Sequence, residues 1–298
     1  MPSHSPMPSL RTRLRVYAYE LVKTFGLFSV LPVLSLGQAL RDETRPEWYT
    51  YSINLTQYFA MPLVATAKLA IALALGAGAA TLWGDGVGAG LAVVGYLALS
   101  GGMHLDGFVD TMDALFAAGT KDPKTVMRDP RVGALGVVYL IFYLALYGLF
   151  GGVAIHTWLA APTPGLTAAL VAAVMSPRLF CHALVAISFG RGFENDRLTQ
   201  VTPPYPWWRG GPRLAAITVA WWAFLIGMLI VAAGGDGGLL GVLALGLLGH
   251  AGIGLYTLRK RVLPTLGFVN GDVLGFAICL AELTHWLAIA LVFARTAG

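Results

Sequence analysis

Three aspartates near the middle of the sequence have a spacing that would let them act together: Asp106, Asp110 and Asp113. On an α-helix, residues at i, i+4 and i+7 lie on one face over two turns. Like charges repel, and one acid inside a membrane costs about 2.5 to 3.5 kcal/mol, so a cation is needed to compensate them. Mg²⁺ prefers oxygen ligands and commonly bridges carboxylates to substrate phosphates. The pattern predicts a hard-metal site, with a solvated, acid-rich turn at the membrane boundary as the alternative.

Other charged residues could serve the same site. His104 is the only imidazole near the aspartates, which disfavours a transition metal. Asp129 and Arg131 border the third apolar stretch, where a guanidinium could bind a phosphate bidentately. Arg178 lies deep in the fourth apolar stretch, where an arginine is normally paired or faces a cavity. We expect Arg178 either to stabilise phosphate charge or to form a structural salt bridge with an acid on another helix.

A last polar group surrounds the start of the seventh apolar stretch. Asn270-Gly271 favours a tight turn, and Asp272, taken alone, is most simply an N-cap of the next helix. We also expect Asp272 on the face that carries the three aspartates, which opens a functional alternative. Glu282 lies deeper in the same stretch and needs a partner, which Arg178 or Lys68 could supply.

The composition indicates that these residues belong to a membrane protein. The chain has 298 residues, 57% hydrophobic and only 12% charged, whereas soluble domains carry about 25% charged residues. Apolar stretches near the roughly 20 residues that cross a bilayer recur along it. We predict an all-α, multi-pass transmembrane bundle forming one catalytic domain over residues 1–298, with 14–38 as an interfacial or re-entrant segment. The predicted spans are 58–83, 86–102, 133–157, 165–189, 213–234, 238–257 and 272–294.

Basic residues predict the orientation of the bundle. Lys and Arg crowd the segments before the first span and after the second, fourth and sixth, and the short loops between contain none. This places the N-terminus and the site on the cytoplasmic side. The net charge of +5 is therefore assigned to cytoplasmic loops and lipid headgroups, and we predict no nucleic-acid partner because no motif supports one.

Three segments carry a family resemblance. His104 to Asp113 reads H-x-D-G-x-x-D-T-x-D, and it is followed by Met127 to Gly136 and by Gly271 to Gly275. In order and spacing they resemble the adenosylcobinamide-GDP ribazoletransferase family, also called cobalamin (5′-phosphate) synthase. The chain departs from that pattern at Ala114, where the family usually has glycine, at Pro130, usually serine, and around 59–65. These departures bear on substrate preference and N-terminal packing.

The resemblance implies a reaction, a metal and a set of roles. Adenosylcobinamide-GDP and α-ribazole, or its 5′-phosphate, would give adenosylcobalamin, or its 5′-phosphate, and GMP with the help of Mg²⁺. One aspartate or His104 would take the hydroxyl proton. The implied metal ligands are Asp106, Asp110 and Asp113. The implied catalytic residues are His104, Asp110, Asp129, Arg131, Arg178 and Asp272.

The resemblance also implies a place in the cell and a set of partners. The protein would be a multi-pass protein of a prokaryotic inner membrane, in contact with lipid and with its two substrates. A homo-oligomer, or contacts with other enzymes of cobalamin synthesis, would be compatible with the sequence.

Three other functions compete with this interpretation. A CDP-alcohol phosphotransferase also uses spaced helical aspartates and magnesium, but its signature has Ala-Arg after the second acid, where this chain has Thr111-Met112. A cation-coupled transporter would place ionisable residues near the bilayer midplane, whereas most acids here are predicted at cytoplasmic helix ends. A scaffold without turnover would leave the aspartates unexplained.

Overall fold

A computed structural model describes residues 10–31, 33, 55–188, 207–234 and 237–293. The described part is helical. Its helices are α1 (Leu10–Phe28), α2 (Leu55–Trp83), α3 (Asp85–Leu99), α4 (Met103–Ala117), α5 (Pro123–Met127), α6 (Ala134–Ala160), α7 (Pro164–Ser188), α8 (Trp207–Ala233), α9 (Gly237–Leu255), α10 (Val262–Leu266) and α11 (Gly271–Phe293). A π-helical turn, Tyr256–Lys260, connects α9 to α10.

The predicted multi-pass helical bundle is confirmed. Within the described ranges, six segments are long and apolar enough to cross a membrane: α2, α6, α7, α8, α9 with its extension through α10, and α11. A seventh crossing exists only if α3 and α4 together form one broken span. Their lengths explain why, since 15 residues of helix extend about 22 Å, less than the roughly 30 Å hydrocarbon core.

The break between α3 and α4 differs from the sequence prediction. The predicted span 86–102 is too long, because α3 ends at Leu99 and the chain then turns by 78° into α4. Gly101 and Gly102 have φ values of 64° and 74°, a left-handed conformation that residues with a Cβ rarely adopt. The apolar window therefore contains the bend that sets the direction of α4, which carries the three aspartates and is called the aspartate helix below.

The centre of the bundle is formed by α7 and α11. In α7, 89% of the span is buried, against 22% in α8 and 28% in α6, whose apolar side chains face outward to lipid. α11 packs against α4, α6, α7 and α9. It therefore connects the aspartate helix to the interior of the bundle.

The predicted interfacial segment is partly described. Residues 10–28 form α1, which packs against α2 and is not among the helices apolar enough to span. Residues 32 and 34–38 of that segment lie outside the described residues, so its interfacial or re-entrant character stays a prediction.

Candidate active site

Asp106, Asp110 and Asp113, here called the aspartate stripe, lie along one face of α4, as their spacing predicts. Asp106 is exposed at the first turn, while Asp110 and Asp113 are half-buried. A fourth carboxylate, that of Asp272 on α11, lies near enough to Asp110 for the two negative charges to repel. Asp272 therefore lies beside the stripe.

Two glycines let α4 and α11 approach closely enough for this. A Cβ at Gly107 would lie 2.8 Å from both the Cα and the carbonyl oxygen of Asp272, and one at Gly275 would lie 3.2 Å from the carbonyl oxygen of His104. The Cys279 thiol donates to that His104 oxygen at 3.3 Å. The crossing therefore fixes the backbone of Asp272 directly against the helix that carries the other acids.

The predicted N-cap role of Asp272 is wrong, because Asn270 caps α11 instead. The Val273 N–H donates to Asn270 Oδ1 at 3.1 Å, which places Asp272 in the first helical turn. Asn270 Nδ2 also donates to Asp272 Oδ2 at 3.0 Å. The carboxylate is thereby oriented at the positive end of the helix dipole, where negative charge is stabilised.

Asp113 has a different environment from Asp106 and Asp110. The Gly133 N–H donates to its Oδ2 and the Gly136 N–H to its Oδ1, both at 2.7 Å. These are the unpaired amides at the start of α6, so Asp113 caps that helix from α4. Both carboxylate oxygens therefore hold the loop between α4 and α6 in place.

Asp129 and Arg131 lie in that loop and pair with each other. Arg131 donates from Nε at 2.9 Å and from Nη2 at 2.7 Å to the two oxygens of Asp129. These side-chain hydrogen bonds from Arg131 lower the pKa of Asp129 to about 2. The Arg131 side chain is 86% exposed, so the guanidinium lies at the surface, where it can meet a substrate from water.

Arg178 lies in the interior and forms the structural salt bridge that the sequence analysis gave as one of two alternatives. Its Nη1 forms an ion pair with Glu282 Oε1 on α11 and donates to the Val174 carbonyl at 2.9 Å. The Tyr96 hydroxyl donates to the same Glu282 oxygen at 3.1 Å. Nη2 of Arg178 has no hydrogen-bond partner in the described part of the chain. Of the two partners expected for Glu282, Arg178 is the one that pairs with it.

His104 lies in the first turn of α4, near the aspartates. It is half-buried, and its ring stacks on Phe28 at the end of α1, with centroids 6.3 Å apart. Its position connects the site to the N-terminal helix.

A magnesium ion fits the donor set in chemistry, although not as a closed cage. In the described residues no group of three His, Cys, Asp or Glu side chains is arranged to hold a metal ion together. Mg²⁺ usually takes one or two carboxylates and completes its shell with water and substrate phosphates. Asp106, Asp110 and Asp272 offer only oxygen ligands, the kind that Mg²⁺ prefers.

Comparison with known proteins identifies the family. A family model described as Cobalamin-5-phosphate synthase matches residues 20–290. The chain belongs to the cobalamin-5-phosphate synthase family. Membership confirms the resemblance stated from the sequence and makes this protein a transferase of cobalamin biosynthesis.

Individual relatives agree with the family. The adenosylcobinamide-GDP ribazoletransferase of Listeria welshimeri is 30% identical over 202 residues, which are 65% of this chain and 70% of that protein. The protein of the same name from Roseiflexus sp. is 29% identical over 263 residues, 88% of this chain and 84% of its own. That of Thiobacillus denitrificans is 45% identical over 86 residues, 28% and 33% of the two chains. No solved structure matches the chain.

Some features of the site were outside the sequence argument. Gly107 and Gly275 set the helix crossing, and the amides of Gly133 and Gly136 bind Asp113. The glycine spacing Gly271-x-x-x-Gly275 is a signal of close helix packing in membranes. The backbone amides leave no such signal.

Proposed function

We propose that this protein transfers the adenosylcobinamide-phosphate group from adenosylcobinamide-GDP to α-ribazole or its 5′-phosphate, with release of GMP and with Mg²⁺ as cofactor. The observation that carries the proposal is the close crossing of α4 and α11, which brings Asp272 beside the helix that carries Asp106 and Asp110 in a chain of this family.

The reaction exchanges one phosphorus–oxygen bond for another. A ribose hydroxyl of the ribazole attacks the phosphorus attached to the corrinoid's aminopropanol arm, and the bond from that phosphorus to the oxygen of GMP breaks. The hydroxyl proton goes to a nearby base, for which Asp110 and His104 are the candidates. Bound Mg²⁺ would supply charge neutralisation at the phosphates, the principal requirement of phosphoryl transfer.

The position of each residue indicates its role in binding and catalysis. Asp106, Asp110 and Asp272 would hold the metal, with Asp272 fixed by Asn270. Asp113 would order the loop that carries Arg131, and exposed Arg131 would contact phosphate when the substrate arrives. Arg178 would act chiefly by stabilising α11 through Glu282.

We propose that the protein lies in the inner membrane of a prokaryotic cell, with its site on the cytoplasmic side. Support comes from the basic residues that follow α4, among them Lys121, Lys124, Arg128 and Arg131, since cytoplasmic loops carry such an excess.

The first test is GMP release by purified, detergent-solubilised protein. Adenosylcobinamide-GDP and α-ribazole 5′-phosphate are supplied with Mg²⁺ or with a chelator, and GMP and the corrinoid product are separated chromatographically. We expect equal amounts of GMP and adenosylcobalamin 5′-phosphate, and only with Mg²⁺. Folded protein that forms no product would overturn the proposal, and product formed equally well with the chelator would overturn the role of Mg²⁺.

A further inference from the structure

A buried lysine lies next to the bend that aims the aspartate helix. Lys68 on α2 is 1% exposed, and its ammonium donates to two neutral oxygens, the Phe28 carbonyl at 3.0 Å and Ser100 Oγ at 2.9 Å. The ammonium also lies 5.4 Å from the centre of the Tyr96 ring. These contacts offset in part the cost of burying a lysine amine inside a membrane protein.

The two acceptors belong to segments that meet at the bend. Phe28 ends α1, and Ser100 directly precedes the two left-handed glycines between α3 and α4. The Val30 N–H donates to the Leu99 carbonyl at 3.0 Å, and a Cβ at Gly101 would touch Val30 at 3.0 Å. Lys68 therefore joins α2, the end of α1 and the bend at a single point.

Lys68 adds an attachment just ahead of the first residue of the aspartate helix. The body of α4 is held by α11 at Gly107 and by α6 at Asp113, whereas Lys68 holds the bend that sets the direction in which α4 starts. Asp110 lies seven residues beyond the start of α4 at Met103, or about 10 Å along the axis. A change of about 10° in the direction of α4 would therefore displace Asp110 by nearly 2 Å, and misplacement by about 1 Å can cost a hundredfold in rate.

We propose that Lys68 is a positioning residue of this enzyme: through Ser100 and Phe28 it fixes the bend between α3 and α4 and so places Asp106 and Asp110 opposite Asp272. The inference rests on the proposed function. An apolar side chain would fill the same space without the cost of burying a polar amine but could not donate to Phe28 and Ser100, so a purely space-filling role does not account for lysine here.

The test uses three variants in the full-length protein: Lys68→Met, which keeps the length and removes the donors, Ser100→Ala, and the double variant. We expect kcat for GMP release to fall at least about tenfold in folded Lys68→Met, with KM changed by less than about threefold, since geometry and not substrate binding is altered. Ser100→Ala should have a smaller effect in the same direction. The double variant should resemble Lys68→Met, because both changes remove the same contact.

Hydrogen exchange provides a readout independent of activity. The Val30 amide and the amides of α4 should exchange faster in Lys68→Met, whereas those of α8 should not change. Lys260→Met, the same replacement at an exposed lysine, is the matched control and should match the wild type in both measurements.

The outcomes separate the two proposals. Wild-type protein without turnover would reject the proposed function, whereas active wild type with a Lys68→Met variant of equal kcat would reject the positioning role alone. A loss of activity that only follows the unfolded fraction, with unchanged exchange in α4, would also overturn it. If Lys68→Met does not fold, Ser100→Ala decides, and an unchanged kcat and unchanged exchange there would reject the role.

Discussion

Gly107 on α4 lies directly against the backbone of Asp272 on α11, so close that a Cβ there would approach the Asp272 Cα to 2.8 Å. This contact joins the helix that carries three of the acids to the segment that carries the fourth. Because the Asp272 atoms that a Cβ would meet belong to the backbone, no side-chain rotation can make room for a residue larger than glycine.

Gly107→Ala should therefore separate the acids. We expect a loss of GMP release of at least about tenfold, since even 1 Å of displacement at a site of this kind is expensive. Gly148→Ala on α6, where a Cβ would meet open space, is the matched control and should keep full activity. Equal rates in both variants, measured on protein of equal folded fraction, would show that the crossing does not set the site.

The aspartate stripe shows what the sequence can predict. Asp106, Asp110 and Asp113 recur at helical spacing, and α4 places them accordingly. Apolar windows likewise predict the spans, because the bilayer sets their minimum length. The bend after Leu99 was missed because Gly101-Gly102 is short and apolar, so a hydropathy window continues through it.

The roles of individual acids required the structure. Asn270 and Asp272 are both good N-cap residues, and only the Val273 hydrogen bond shows which one caps the helix. Asp113 resembles its neighbours in sequence, yet its partners are backbone amides twenty or more residues away. Side-chain patterns contain no information about such main-chain partners.

Asp113→Asn should act mainly on stability. The amide NH₂ would face one of the two N–H donors, so at least one bond of a kind worth about 1.5 to 3 kcal/mol is lost. We expect a lower thermal unfolding temperature with an unchanged affinity for Mn²⁺, a Mg²⁺ substitute that is detected by electron paramagnetic resonance. Unchanged unfolding together with weakened Mn²⁺ binding would return Asp113 to the metal ligands.

Asp110→Asn should have the opposite effect. We expect turnover to fall by about a hundredfold or more and Mn²⁺ binding to weaken, because a neutral amide replaces a metal ligand or general base. Insertion into the membrane and elution as a single species in detergent should be unchanged. Normal turnover in this variant would remove Asp110 from the site.

The Asp129–Arg131 pair predicts a flat response to pH. Hydrogen bonds from Arg131 lower the pKa of Asp129 to about 2. The stability that the ionised Asp129 carboxylate contributes is therefore fully present above the usual pKa near 3.9 and is lost only as the pH falls through about 2. Asp129→Asn should therefore leave the shape of the pH–rate profile unchanged between about pH 5 and 9. A shifted profile in that range would show that Asp129 exchanges a proton during the reaction.

The Arg178–Glu282 pair can distinguish a structural from a phosphate-binding arginine. Removing one partner leaves a buried charge unpaired, so Arg178→Met and Glu282→Gln should each destabilise the protein by about 3 to 5 kcal/mol. In the double variant Arg178→Met/Glu282→Leu neither charge remains, and most of the stability should return. Chemical unfolding and GMP release are measured on all three variants.

The activity of that double variant decides between the two roles. If Arg178 only stabilises α11, the double variant should regain activity as well as stability, and its activity should lie within about tenfold of wild type. If instead its partnerless Nη2 contacts a substrate phosphate, a stable double variant would remain inactive with a raised KM for adenosylcobinamide-GDP. We expect recovery, because the ion pair with Glu282 and the bond to Val174 already hold the guanidinium inside the bundle.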